Sequence, residues 1–251
     1  MKAMVLAAGL GTRLRPLTDN RPKALVEVAG RTLLEITLSR LRTFGINEVI
    51  INVHHFADAV VDYLKTNSNF GMRVEISREE VLLDTGGGLK KAAWFFLEDS
   101  NRFDEPFLLH NVDVISTFDL ARMQQFHMEN HALATLAVQT RETSRYLLFN
   151  AHLQLCGRRA GRDHEPEIVY PSQPIESLQP LAFSGIQVIS PRLLPMLTEA
   201  GVFSIIPSYL RLAAQGEKIL AFRADDYYWR DLGRPADLAQ AAHDLQQKVL
   251  L

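Results

Sequence analysis

Cysteine is almost missing from this chain: Cys156 stands alone among 251 residues. That excludes an intrachain disulfide and a four-thiolate zinc site, and it points to a reducing compartment. Long apolar runs are also missing, since none approaches the roughly 18 residues that a membrane helix needs. The first residues, Met1–Gly9, hold a lysine and a short apolar run, but Arg13 and Arg15 interrupt it too early for a secretory leader. A soluble, cytosolic protein without a membrane segment is expected. There is no excess of one charge, with 27 Lys and Arg against 29 Asp and Glu and a formal net charge of −2. A protein whose main task is to wrap nucleic acid needs a basic excess, so that class is set aside. A local basic pocket for a phosphorylated small molecule is still allowed. Linkers, low-complexity tracts and internal repeats are absent as well.

What remains is ample for a core: 47% of the residues are hydrophobic and 22% charged. In the first half, short apolar runs alternate with segments of helical period. Ala3–Ala7 reads as a buried strand ending at Gly9. Thr32 caps a helix in which Leu34, Leu38 and Leu41 share a face, and Gly45 stops it. Strands at Glu48–Val53, Met72–Ile76 and Phe107–Leu109 are separated by helices at Ala57–Leu64 and Leu89–Leu97, the latter introduced by Asp84-Thr85-Gly86-Gly87-Gly88. Such βαβ units imply a largely parallel sheet covered on both faces. Later come a helix at Leu120–Glu129, a strand at Leu133–Gln139 and a hairpin of Tyr146–Phe149 with Leu153–Cys156. A polar loop at Gly157–Pro166, a strand at Ala182–Ile189, a helix at Pro207–Gln215, short strands at Ile219–Phe222 and Tyr227–Trp229, and a helix at Pro235–Lys248 complete the order. One domain over residues 1–251 is expected, with the hairpin and loop as a lid-like insertion.

In an open α/β sheet, ligands bind beyond the carboxyl ends of the strands. Four segments fall there. Leu6–Arg13 (LAAGLGTR) places two glycines after a strand, where backbone N–H groups can approach an anion. It is not a dinucleotide fingerprint, because Leu14 stands where the third glycine belongs, and no Walker-type loop occurs anywhere. Two glycines alone would make only a tight turn; the cations behind them (Arg13, Arg15, Arg21 and Lys23) turn the reading toward phosphate. In Asp84–Gly88 the glycines expose backbone donors and let a flat group lie close, or merely connect two elements. Asn111-Val112-Asp113 and Trp229–Gly233 each set an aspartate near a strand end. Asp113 and Asp231 suit Mg²⁺, which needs one or two carboxylates beside substrate phosphate, though either alone could cap a helix.

These residues carry a family likeness. LAAGLGTR, followed by Arg21-Pro22-Lys23-Ala24-Leu25, resembles the signature of sugar-1-phosphate nucleotidylyltransferases, and the later segments, including Phe183-Ser184-Gly185-Ile186, fall in that family's order. The length is similar to the compact branch of mannose-1-phosphate guanylyltransferase-like and N-acetylmuramate-1-phosphate uridylyltransferase-like enzymes. The resemblance implies a Rossmann-like three-layer α/β/α sandwich with a mixed, mainly parallel sheet. It also implies a reaction of an NTP with a sugar 1-phosphate that yields an NDP-sugar and pyrophosphate. By motif position, Gly9, Gly11 and Thr12 would cradle the triphosphate, Arg13 would neutralise the leaving pyrophosphate, and Lys23 would bridge to the α-phosphate. Asp113 and Asp231 would hold Mg²⁺; Ala8, Thr85, Gly87 and Gly88 would line the nucleobase; Asn111 and Gly185 would face the sugar. Residues to about 115 would serve the nucleotide and those from about 116 the sugar.

Two departures from the family pattern stand out. Val112 occupies a position where the family often has glycine, and it is expected to narrow or reshape the sugar side. The Glu-Lys-Pro segment whose lysine contacts the sugar phosphate is not recognisable; its region holds Arg158, Arg159, Arg162 and Glu165, with Arg141 and Arg145 upstream. Rival readings are a cytidylyltransferase-like enzyme with a non-sugar acceptor, for which Tyr227, Tyr228 and Trp229 supply aromatics, and a non-catalytic nucleotide-sugar-binding regulatory subunit. Lesser signals take ordinary roles. His127 and His131 read as an exposed polar face rather than metal ligands, His54-His55 as loop polarity and Cys156 as packed. Ala92–Leu97 reads as sheet packing, or else as the surface of a homo-oligomer.

Overall fold

The computed structural model describes residues 1–99, 104–161, 164–169 and 174–246. In chain order the strands are β1 Ala3–Leu6, the small ribbon β2 Glu27–Val28 with β3 Arg31–Thr32, β4 Glu48–Val53, β5 Arg73–Arg78, β6 Phe107–Asn111, β7 Val114–Ser116, β8 Ala134–Gln139, β9 Arg145–Phe149, β10 Leu155–Ala160, β11 Glu167–Ile168, β12 Gln179–Ile189, β13 Ile219–Arg223 and β14 Trp229–Asp231. The α-helices are α1 Leu33–Thr43, α2 Ala57–Thr66, α3 Asp84–Lys91, α4 Ala93–Leu97, α5 Leu120–Glu129, α6 Ile205–Ala214 and α7 Pro235–Gln246. No helix among the described residues is long and apolar enough to cross a membrane.

The central sheet is mixed. β5, β4, β1 and β6 run parallel side by side, and so do β8 and β13; β12 joins the two sets antiparallel. Strands covered on both faces are mostly apolar, as β1 (AMVL) is and as β4 (EVIINV) is apart from Glu48 and Asn52. Alternation sends Ala3 and Val5 into one core, with α1 and α5, and Met4 into another, with Phe95 and Tyr209. Those two cores are the contacts between the three layers of the expected α/β/α fold. α1 forms as its sequence indicates. The Thr32 hydroxyl accepts from the Glu35 N–H at 3.0 Å, and Leu34, Leu38 and Leu41 are fully buried. Past the first residues of β12 the same sheet continues through β9, β10 and β11, an antiparallel apron around Tyr146, Leu148, Cys156 and Leu178. Cys156 is buried there.

Four local expectations are corrected. The glycines 86–88 do not precede a helix; they form the body of α3, and the chain breaks at Ala92 before α4. Glycine is needed because α3 lies against the segment before α6. A Cβ at Gly86 would sit 2.3 Å from the Phe203 ring, and the N–H groups of Gly86 and Gly87 both donate to the Phe203 carbonyl. The polar stretch from Gly157 is not all loop, since Gly157–Ala160 complete β10. A Cβ at Gly157 would lie 2.3 Å from the Glu167 carbonyl oxygen across the pair. Arg162 falls outside the described residues. The last short strand begins at Trp229 rather than Tyr227, because Tyr228 is tied to Thr117 through its N–H and carbonyl. His127 is buried, not exposed: its Nδ1 lies 2.9 Å from the Thr135 hydroxyl, and burial pushes its pKa down to about 4. His131 lies beyond α5 in a left-handed conformation, so the two histidines do not share a helical face.

Candidate active site

The strand order β6-β1-β4 puts β1 at a topological switch point, because the chain passes from β1 to β4 on one side and returns to β6 on the other. A crevice at the carboxyl end of β1 is the geometric result. Two cavities open there. The smaller, about 470 Å³, is lined among others by Ala8, Gly9, Lys23, Thr85, Asn111 and Asp113. The larger, about 1200 Å³, is lined among others by Arg13, Asn111, Asp113, Arg141, Gly185 and Asp231. Asn111 and Asp113, at the end of β6, belong to both.

The loop after β1 is built to bring cations back to the strand end. Gly11 is left-handed (φ +66°), and a Cβ there would lie 2.9 Å from Thr18 Cγ2 and 3.1 Å from Lys23 Cβ. Only glycine allows the loop to fold on itself this closely. The Thr18 hydroxyl donates to the Gly11 carbonyl at 2.9 Å and fixes the turn. Lys23, only 8% exposed, is thereby delivered to Asp113, to which its ammonium donates. Arg13 lies near the other carboxylate without an ion-pair contact to it: a Cβ at Gly233 would lie 2.7 Å from Asp231 Oδ1 and 2.8 Å from Arg13 Nη2. Arg15 instead pairs with Asp19 on the surface at 3.5 Å, and Arg21 is exposed.

Asp113 and Asp231 are brought together by β7 and β14, whose antiparallel register pairs Asp231 with Val114, while the Leu232 N–H donates to the Asp113 carbonyl at 2.8 Å. Burial, and then the like charge of Asp113, hold the Asp231 carboxyl above the usual carboxylate range, against the pull of Lys23 and Arg13. Two neighbouring carboxylates, all-oxygen donors beside the cationic loop after β1, fit a hard divalent cation. The described residues hold no cluster of three or more His, Cys, Asp or Glu side chains suited to a metal, and Mg²⁺ does not require one.

The remaining expected residues divide. Gly185 (φ +74°) lies against the Asn111 side chain, where a Cβ would be 2.8 Å from Nδ2. Gly11 and Thr12 support the loop without lining either cavity. Gly87 and Gly88 lie behind the wall of the smaller one: Gly87 is pressed on the Gly201 carbonyl, and Gly88 on Glu79 and Asn52. Val112 is buried in the core and lines the smaller cavity, so it does not narrow the larger one as expected. The aromatic triplet makes no open cage. Arg141 covers the Trp229 ring, the Tyr228 hydroxyl donates to Asp244, and Tyr227 packs on Phe118. In α4, Phe95 and Phe96 are buried, while Trp94 is 49% exposed.

Two lining residues escape a reading of the sequence. Asn52 Oδ1 accepts from the Ala7 N–H at 2.7 Å, and its Nδ2 donates to Glu79 Oε1 at 2.7 Å; Glu79 Oε2 accepts from the Leu83 N–H at 2.9 Å. This chain of bonds clamps the start of the loop after β1 to β4 and to the residues that lead into α3. Its one sequence signal is a polar side chain inside the apolar run of β4.

Comparison with known proteins agrees with this geometry. A family described as Nucleotidyl transferase matches residues 2–150. N-acetylmuramate alpha-1-phosphate uridylyltransferase of Caulobacter vibrioides is 34% identical, covering 96% of this chain and 95% of its own. Mannose-1-phosphate guanyltransferase of Yarrowia lipolytica is 29% identical over 94% of this chain, which spans 62% of that protein's length. A solved UDP-glucose pyrophosphorylase in complex with UDP-glucose has the same fold, with a TM-score of 0.76 at 16% identity over 98% of each chain. The sheet, the loop after β1 and the aspartates at its edge are thus those of a chain that belongs to the nucleotidyl transferase family, among relatives that act on sugar 1-phosphates.

Proposed function

We propose that this chain transfers a nucleotidyl group from an NTP to a sugar 1-phosphate, giving an NDP-sugar and pyrophosphate. The observation that carries the reading is the seam of the two cavities: Asn111 and Asp113 line both, and Lys23 is paired with Asp113 at their junction. An NTP in the smaller cavity and a sugar 1-phosphate in the larger would meet there. An oxygen of the acceptor phosphate attacks the α-phosphorus, the bond from that phosphorus to the bridging oxygen breaks, and pyrophosphate departs on the opposite side. Such a transfer asks the protein for positioning and charge, not covalent work.

Each role follows from position. Gly9 and the turn at Gly11 hold the triphosphate, with Ala8 and Thr85 toward the base. Lys23 meets the charge that develops at the α-phosphate, and Arg13 meets that of the leaving pyrophosphate. Asn111 and Gly185 shape the sugar side. Asp113 and Asp231 would hold Mg²⁺, which when bound neutralises phosphate charge. Residues to about 115 serve the nucleotide and the rest the acceptor, in a cytosolic setting. Gly87 and Gly88 act by letting α3 pack closely rather than by touching the base.

The test is pyrophosphate release with Mg²⁺, using the four NTPs and dTTP against a panel of sugar 1-phosphates. UTP with N-acetylmuramate 1-phosphate is the first pair, after the Caulobacter relative. Release that requires both substrates is expected. Binding of a nucleotide sugar without release from any pair would instead mark a regulatory subunit.

A further inference from the structure

The larger cavity is rich in arginine, yet its guanidinium groups are not equivalent. Arg158 is engaged with Glu167 at 2.6 Å, and Arg230 donates to the Tyr228 hydroxyl and pairs with Asp244. Arg145 is exposed, and Arg13 belongs to the nucleotide loop. Arg141 differs from all of these. Its guanidinium lies flat over the Trp229 ring, 3.8 Å from the centroid, and Nη2 donates to the Phe183 carbonyl at 2.8 Å. Its Nε is buried without a hydrogen-bond partner, and among the described residues no carboxylate stands in ion-pair contact with it. Asp231 is close enough to pull on its charge.

The segment that carries Arg141 is anchored at its base. The Thr140 N–H donates to Asp225 Oδ1 at 2.6 Å, and Arg223 donates to the Thr140 hydroxyl at 3.0 Å. Gln139 donates to the carbonyls of Ala224 and Tyr227 at 2.8 and 3.0 Å. Trp229 is fixed in turn through its indole N–H, which donates to the Ser184 carbonyl at 2.8 Å. A half-buried guanidinium, held flat on an indole with a donor left over, is organised for an anion that arrives from solution. Arg159 has a similar unpartnered Nε but lies over Tyr146 on β10. Arg141 is the one beside Trp229, on the strand that ends in Asp231.

We propose that Arg141 binds the phosphate of the acceptor, filling the role of the lysine this chain lacks. The assignment rests on the functional reading above, and it adds which residue selects the second substrate. Nη1, which makes no hydrogen bond among the described residues, donates to an oxygen of a phosphate monoester in the larger cavity that Arg141 lines, while Nη2 and the Trp229 ring hold the guanidinium in place.

The experiment has two arms, with the wild-type chain, R141Q, R141K and R158A compared throughout. Calorimetric titration with a sugar 1-phosphate reads the site directly, and pyrophosphate release reads turnover. R141Q is expected to weaken acceptor binding, and to raise the acceptor KM, by about ten- to a hundredfold, the range of a lost charged hydrogen bond. The KM for NTP stays within about threefold, and R141K recovers part of the loss as a point charge. Melting temperatures check that each variant folds. Acceptor binding by R141Q equal to wild type, or an equal loss in R158A, overturns the assignment. A wild-type chain that binds sugar 1-phosphate through Arg141 yet releases no pyrophosphate overturns the functional reading and leaves the assignment supported.

Discussion

The ammonium of Lys23 donates to the carboxylate of Asp113 across 90 residues of sequence, at the one place that both cavities share. The site therefore keeps Lys23 neutralised by a residue suited to a metal. Binding of a triphosphate with its cation would separate the two charges. Lys23→Ala is expected to lower kcat by about 10²–10³-fold, the size of effect seen when one preorganised donor is removed. The nucleotide KM should change far less. Steady-state kinetics decides, and a rise in KM at constant kcat would make Lys23 a ground-state binder only.

Asp113→Asn and Asp231→Asn should each abolish most turnover, and Asp231→Asn should also stabilise the metal-free chain. The Asp231 pKa is raised on folding, so its ionisation costs stability as pH climbs through the carboxylate range. An asparagine avoids that cost. Thermal melts in chelator should place Asp231→Asn about 2–4 °C above wild type at pH 7. The gain should vanish at a pH below the ordinary carboxylate value, where both side chains are neutral.

Gly11→Ala places a methyl group against Thr18 and Lys23 at a left-handed backbone position. A stability loss of about 1–3 kcal/mol is expected. Activity should fall further than stability, because the same turn delivers Lys23. Denaturant melts alongside turnover separate the two effects.

Gly86→Ala drives a Cβ into the Phe203 ring at 2.3 Å, so a loss of about 1–3 kcal/mol is expected from overpacking. Phe203→Ala in the same chain should return part of it. A double-mutant cycle with no coupling would mean that α3 and the residues before α6 do not press on one another.

His110 and His127 are buried, with burial the main cause that depresses both to about 4. The unfolded chain then takes up protons that the folded chain refuses between about pH 6.5 and 4. Stability should fall as pH drops through that window and remain flat above it. His127→Gln should make the melting temperature less sensitive to pH there, although losing the Thr135 contact lowers it at pH 7.

Much of this was legible in the residues because local signals and tertiary roles agree. The apolar run of β1, the Thr32 cap and the leucine stripe of α1 each specify one outcome. Arg13, Lys23, Asp113 and Asp231 do converge, and the motif order places them. Where long-range packing decides, the local signal misleads. Three consecutive glycines read as an open turn, yet the close approach of Phe203 and Gly201 makes them the body of a helix. His127 carries a polar label on a helix, and only the sheet below shows that it faces inward. Glu79 and Asn52 meet across 27 residues, a pairing that no spacing rule announces.

Asn111 and Asp113 serve as a party wall between two rooms. Whatever is substituted there to reshape one cavity also alters the other, so under the proposed function the preferences for sugar and nucleotide would not be retuned independently at that wall. Arg141 and Gly185 open only on the larger cavity, and Glu79 and Thr85 only on the smaller. Specificity for one substrate can therefore diverge from the periphery inward, with the shared pair left as the part of the site that holds still.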